Sequence, residues 1–143
     1  MCKTIFTYVA LLFLSTNVVF ATHHMSGAHN SATKIEMGKQ LYNNNCASCH
    51  GSNLQGADNW KSLDEDGHRK APPLNGTGHA WHHSDEQLYQ IIKYGLAKFV
   101  KNYQGKMMGF GDVLSDTEIT SVLAYMKSTW PKDILEKNHH MNK

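Results

Sequence analysis

Two thiols three positions apart, with an imidazole directly after the second, constrain this chain more than any other feature in it: Cys46-Ala47-Ser48-Cys49-His50. Such a pentapeptide has four chemical uses. It can be a dithiol redox pair, half of a zinc site, a short disulfide, or an attachment point where a haem takes up both sulfurs through its vinyl groups. Each use makes a different demand on the rest of the chain, so the surroundings decide between them.

The compartment comes first. Met1-Cys2-Lys3 is a short basic start, Ile5 to Leu14 is mostly apolar, and Val19-Phe20-Ala21 ends on a small residue, the pattern of a secretory signal peptide over residues 1–21. Ser15-Thr16-Asn17 interrupts the apolar run and leaves it short of the roughly 20 residues that span a bilayer. An uncleaved membrane anchor is the alternative; after cleavage no stable membrane insertion is expected. Cleavage after Ala21 removes Cys2 and Lys3. Two cysteines then remain, and 13 of the 14 Lys and Arg face 12 acidic side chains. That balance argues against nucleic acid as a partner, because counterion release needs a basic face. Cys46 and Cys49 are also too close together to staple much of a small exported domain.

Hydrophobic content of 41% with 18% charged residues suits one globular domain. Three stretches carry helical periodicity, and each opens on a capping box, in which a hydroxyl and a Glu or Gln three residues on satisfy orphan amide donors. The first opens at Thr33-Lys34-Ile35-Glu36, carries Gly38, Leu41 and Tyr42, and runs to about Asn45, delivering Cys46 at its end. The second opens at Ser84-Asp85-Glu86-Gln87, stacks Leu88, Ile91 and Ile92, and stops at Gly95. The third opens at Ser115-Asp116-Thr117-Glu118, stacks Ile119, Val122, Leu123 and Met126, and stops before Pro131. No period-2 run of comparable length appears, so the fold class is all-α. Residues 22–32 read as a His- and Met-containing extension, 33–131 as the domain, and 132–143 as a C-terminal tail.

The loops are long for such a chain. Residues 51–83 are rich in Gly, Asn, Asp and Pro, and residues 97–114 hold Gly105, Met107, Met108, Gly109 and Gly111. Loops of that length occur in compact domains chiefly where they wrap a ligand or act. Helices this few bury too little apolar surface unaided, and a large bound hydrophobic group supplies the rest. The four uses of the motif now separate. A redox pair wants a βαβ setting, and none precedes Cys46. A zinc site wants two more ligands at familiar spacing, and no further cysteine survives export. A disulfide leaves His50 and the long loops unexplained. One covalent haem held by Cys46 and Cys49, with His50 facing the iron, meets every demand.

The ordered set of motifs resembles the small monohaem class I c-type cytochromes of the bacterial periplasmic kind, over about residues 33–131. It rests on Cys46-Ala47-Ser48-Cys49-His50, on Ala71-Pro72-Pro73-Leu74-Asn75-Gly76, on Lys106-Met107-Met108-Gly109-Phe110-Gly111, and on Leu114-Ser115-Asp116 through Leu123-Ala124-Tyr125-Met126. The resemblance implies a cytochrome c fold, three main helices with long loops wrapped around the haem, in the periplasm. It implies Met107 as sixth iron ligand: the family places its methionine in a Met-Pro-x-Phe element, and three-residue spacing to Phe110 selects Met107. Met108 then stands where the proline would be and stays an alternative, as does a second imidazole from His68, His79, His82 or His83. The resemblance further implies the Pro72 carbonyl as acceptor for the other nitrogen of His50, Leu74 packed on the haem, Trp81 on a haem propionate with Arg69 as a second candidate, and Gly38 with Tyr42 crossing the last helix at Val122 and Tyr125.

Imidazole and thioether together leave iron no open position, which implies a soluble electron carrier rather than an enzyme. Its partners would be exported or membrane-bound redox proteins met briefly around the haem edge. Two alternatives accompany this reading. Displacement of Met107 would open the iron for peroxidase chemistry or gas sensing. Cleavage after Ala21 would also leave Thr22-His23-His24 at the amino terminus, where a free amine with His23 and His24 makes a square-planar copper(II) chelator.

Overall fold

The computed structural model describes residues 26–143, with side chains from Asn30 onward. The expected signal peptide, Cys2, His23 and His24 therefore lie outside the described residues. Five α-helices follow in order: α1 Ser26–Asn45, α2 Ala47–His50, α3 Asp85–Tyr94, α4 Asp116–Ser128 and α5 Lys132–Met141, with single 3-10 turns at Ala80–His82 and Leu96–Lys98. Among the described residues the only β-pairing is three isolated bridges, so the all-α expectation holds. No described helix is long and apolar enough to cross a membrane.

Two of the three expected helix starts are where the sequence puts them. Ser84 caps α3 and Ser115 caps α4, each with the reciprocal box closed by Gln87 and Glu118 respectively. The third is a correction: the chain is already helical at Ser26, the first described residue, seven residues before Thr33. Nothing between Ser26 and Ala32 stops a helix. There is no proline, and once a nucleus exists each added residue closes another backbone bond. A hydroxyl with Glu three positions on is then an interior pair, not a terminus. Residues 132–143 are the second correction, since Lys132–Met141 form α5 instead of a tail. Pro131 ends one helix and, with its fixed φ, enters the next.

The core is small. Tyr42, Leu54, Leu88, Leu114, Ile119, Val122, Leu123, Met126 and Trp130 are its buried apolar side chains among the described residues. α1 crosses α4 at its centre, where Gly38 lies so close to the Ser121 carbonyl that an added Cβ would collide with that oxygen and sit 3.0 Å from Tyr125 Cβ. Tyr42 meets Tyr125 one turn on, ring centroids 5.5 Å apart. The Gly38–Tyr42 pair thus meets Tyr125 as expected, with Ser121, not Val122, under the glycine. This crossing fixes the direction in which α1 carries Cys46.

Candidate haem site

Backbone bonds build the attachment turn. The Cys46 N–H donates to Tyr42 O at 2.8 Å, and the N–H groups of Cys49 and His50 both donate to Cys46 O, at 3.1 and 2.9 Å. That single turn sets Cys46 and Cys49 as i,i+3 neighbours, the spacing at which helical side chains adjoin. Gly51 ends it at φ +79°, a conformation that costs glycine little. Tyr42, fully buried, donates its hydroxyl to the Gly51 carbonyl at 2.7 Å, and burial pushes its phenol well above the ordinary range, so it stays a donor.

Cys46 is half-buried, Cys49 exposed, and both thiols are free. Burial, with the neighbouring Cys49 adding to it, pushes the Cys46 thiol up to about 11. A disulfide oxidoreductase needs the opposite, a thiolate favoured near neutrality, and among the described residues the turn follows a helix with no strand before it. His50 is buried, and its Nδ1–H donates to the Pro72 carbonyl at 2.9 Å. Burial lowers the pKa of this ring against the opposing pull of the Pro72 bond, which keeps the imidazole neutral, the form that binds metal. No hydrogen bond engages its Nε2 among the described residues. Two unpaired thiols beside a neutral imidazole anchored by one nitrogen, with the other uncommitted, fit a haem held by thioethers and one axial ring.

The methionine loop is fastened separately. Gly95 and Met108 pair in an antiparallel bridge, Phe110 N–H donates to Ile92 O and Gly111 N–H to Lys93 O, both at 2.9 Å. Successive side chains on extended backbone face opposite ways. Met108 is 69% exposed and Met107 half-buried, so Met107 is on the inward side of this loop. Cys46, Leu74, Trp81 and Phe110 all border the apolar core, whereas Met107 is half-buried without joining it.

The four alternative histidines occupy loop positions with neighbours of their own. His79 stacks on Trp60 at 5.9 Å and meets His83 edge-on at 6.0 Å, while His82 stacks on Trp81 at 3.5 Å. Partial burial, then His83 and His82, hold the His79 ring below its usual pKa. His68 lies 3.7 Å from Asp64. Asp64, Asp66 and His68 bring ligand atoms within 4.8 Å of one another, but Lys106 holds both carboxylates, at 2.9 and 3.1 Å. That cluster ties the 64–68 loop to the methionine loop. Arg69 joins the same seam through its backbone, its N–H donating to Gln104 O at 2.6 Å. The Trp81 indole N–H makes no hydrogen bond among the described residues; its carbonyl accepts from Asn138 instead.

Three contributors escape motif reading: the Tyr42 hydroxyl on Gly51, Trp130 with its indole N–H on Leu74 O at 2.7 Å, and Asn138, fully buried. The sole hint for Trp130 is a large aromatic just ahead of the helix-starting Pro131.

A family model described as cytochrome c matches residues 35–130. The cbb3-type cytochrome c oxidase subunit FixP of Bradyrhizobium diazoefficiens is 33% identical over 94 residues, 64% of this chain and 29% of that protein. The FixP subunit of Azorhizobium caulinodans is 32% identical over 92 residues, 64% of this chain and 28% of that one, and that of Sinorhizobium medicae 27% identical over 96 residues, 66% and 29%. The chain thus spans under a third of the length of these relatives. No solved structure matches it.

Proposed function

The chain belongs to the cytochrome c family, and from that premise we propose that it shuttles single electrons between exported redox partners on a haem ligated by His50 and Met107. Haem-based electron transfer is the family's chemistry, and one Cys pair with its histidine accounts for one covalent haem c. When bound, that haem supplies a one-electron iron couple.

The protein's own residues do the rest. Cys46 and Cys49 fix the group to the end of α1. His50 presents a neutral ring whose orientation the Pro72 carbonyl holds, a bond that also makes the ring a better donor to iron. This bond is the observation that carries the reading. The partial burial of Met107 against the exposure of Met108 supports Met107 over Met108. With His50 and Met107 both holding it, the iron of a bound haem would have no open position for substrate or gas. For partners, the relatives' name supports a cytochrome c oxidase complex as acceptor. Export rests on the basic, apolar and small-residue pattern of residues 1–21.

The ferric absorption spectrum of the purified protein tests the ligand pair. A weak far-red iron–sulfur charge-transfer band is expected. A high-spin spectrum lacking it would replace the carrier by a peroxidase or gas-sensing reading.

A further inference from the structure

The segment that holds His50 is itself held from behind. Leu74, two residues past Pro72, donates its N–H to Leu54 O at 2.8 Å and receives the Trp130 indole N–H on its carbonyl at 2.7 Å. Trp130 is 4% exposed, so the donor of this bond is buried. The Pro72–Leu74 run is therefore clipped between the loop that follows the attachment turn and Trp130, two residues past α4.

The fastening continues along the last helix. A Cβ on Gly76 would lie 2.9 Å from Pro131 Cδ and 3.5 Å from Ile134 Cγ2, so the first turn of α5 lies against that glycine. Farther on, Asn138 donates its amide to two carbonyls of the same loop, Trp81 O at 3.0 Å and His83 O at 2.8 Å. Asn142 accepts from Asp85 N at 2.7 Å and donates to Asn138 O at 3.0 Å. From Leu74 to Asp85 the loop is thus tied to residues 130–142. The family match ends at Trp130, and α5 lies beyond the matched segment.

We propose that Trp130 and α5 form a C-terminal strap that positions the His50 imidazole: with Trp130 fixing Leu74 and α5 fixing the loop beyond it at Gly76, Trp81 and His83, they hold the Pro72 carbonyl at hydrogen-bonding distance from His50 Nδ1 and so set how strongly the ring would donate to a bound iron. The proposal rests on His50 being the iron's ligand. A bond on Nδ1–H raises the basicity of the other nitrogen, and a more basic ring favours the ferric state. Slackening the strap lengthens the His50–Pro72 bond, weakens that donation and shifts the couple toward the ferrous state. A residue that merely fills the core alters stability and leaves the couple where it was.

The test is redox titration of the full haem-bearing chain carrying Trp130→Phe, which keeps most of the ring volume and removes the N–H. The ratio of ferrous to ferric protein at fixed ambient potential should rise by about threefold to tenfold, tenfold being about 59 mV for one electron. Exchange of the His50 Nδ1 proton, followed by NMR, should quicken. An unchanged or lower ratio, even with a lowered unfolding midpoint, makes Trp130 a core filler and overturns the proposal. Should that variant not fold, Asn138→Leu decides, because it leaves the indole in place. A smaller shift in the same direction is expected, and none overturns the proposal. A parent protein without the far-red band sinks the Met107 assignment alone, since each variant is compared with its parent.

Discussion

Replacing Gly38 by alanine opposes two effects of known sign. Intrinsic helix propensity favours alanine over glycine in a helix interior by about 1 kcal/mol. Gly38 is near the middle of α1, so a stabilised protein is the expectation from the helix alone. The crossing with α4 opposes it. The new Cβ would meet the Ser121 carbonyl oxygen, a backbone atom with no rotamer to escape into, and Tyr125 Cβ at 3.0 Å. Relief requires α1 and α4 to separate. A gap of about 0.5–1 Å forfeits a quarter to a half of each dispersion contact across it, and a buried side chain makes some 40–60 contacts of about 0.1–0.2 kcal/mol. Tyr42, Ile119 and Val122 are buried beside this crossing. Overpacking of this kind commonly costs about 1–3 kcal/mol, and more where backbone must move. Subtracting the propensity gain leaves a net loss of up to about 2 kcal/mol in Gly38→Ala. Guanidinium unfolding of the haem-bearing protein, read by Soret absorbance and far-ultraviolet circular dichroism together, measures it. A gain of about 1 kcal/mol would show that the helices part freely and would refute the account of the crossing.

Met107→Ala should abolish the far-red band and let added cyanide or imidazole bind quickly, whereas Met108→Ala should leave both spectrum and ligand access unchanged; the reverse pattern moves the ligand to Met108. Tyr42→Phe removes the donor to the Gly51 carbonyl and should cost about 1 kcal/mol in urea unfolding, with no loss meaning that the bond does not brace the attachment turn. The Lys106 clasp should be acid-labile: the Lys106 ammonium, with the His68 backbone amide second, holds the Asp64 carboxyl down at about 2. A depressed carboxylate stabilises above its ordinary pKa of about 4 and loses that contribution as pH falls through about 2. The stability gap between parent and Lys106→Met should accordingly be present at neutral pH and close in acid over that window, and a gap that persists below it would exclude Asp64 as the partner that matters.

What was legible in the sequence follows the physics of each signal. The capping boxes at Ser84 and Ser115 are local chemistry, and both hold. The same pattern at Thr33 misleads because a box marks a helix start only where something upstream halts the chain, and Ser26 to Ala32 contain no such residue. α5 escaped because no capping side chain announces it after Pro131, and its fully buried side chain is Asn138, a polar residue paid for by carbonyls 55 and 57 positions away. The attachment turn was readable because spacing and resemblance both carry it, and the Pro72 acceptor because the resemblance does. Trp130 was not, since its partner is 56 residues distant in sequence.

The central claim is one iron porphyrin joined through sulfur to Cys46 and Cys49. Denaturing the purified protein, extracting it with acidified acetone and taking the alkaline pyridine spectrum of the residue tests that most directly. The account predicts that colour stays with the polypeptide, at one haem per chain with a c-type spectrum, and is lost in the Cys46→Ala, Cys49→Ala double variant. Colour that passes into the solvent, or a colourless parent, would contradict it.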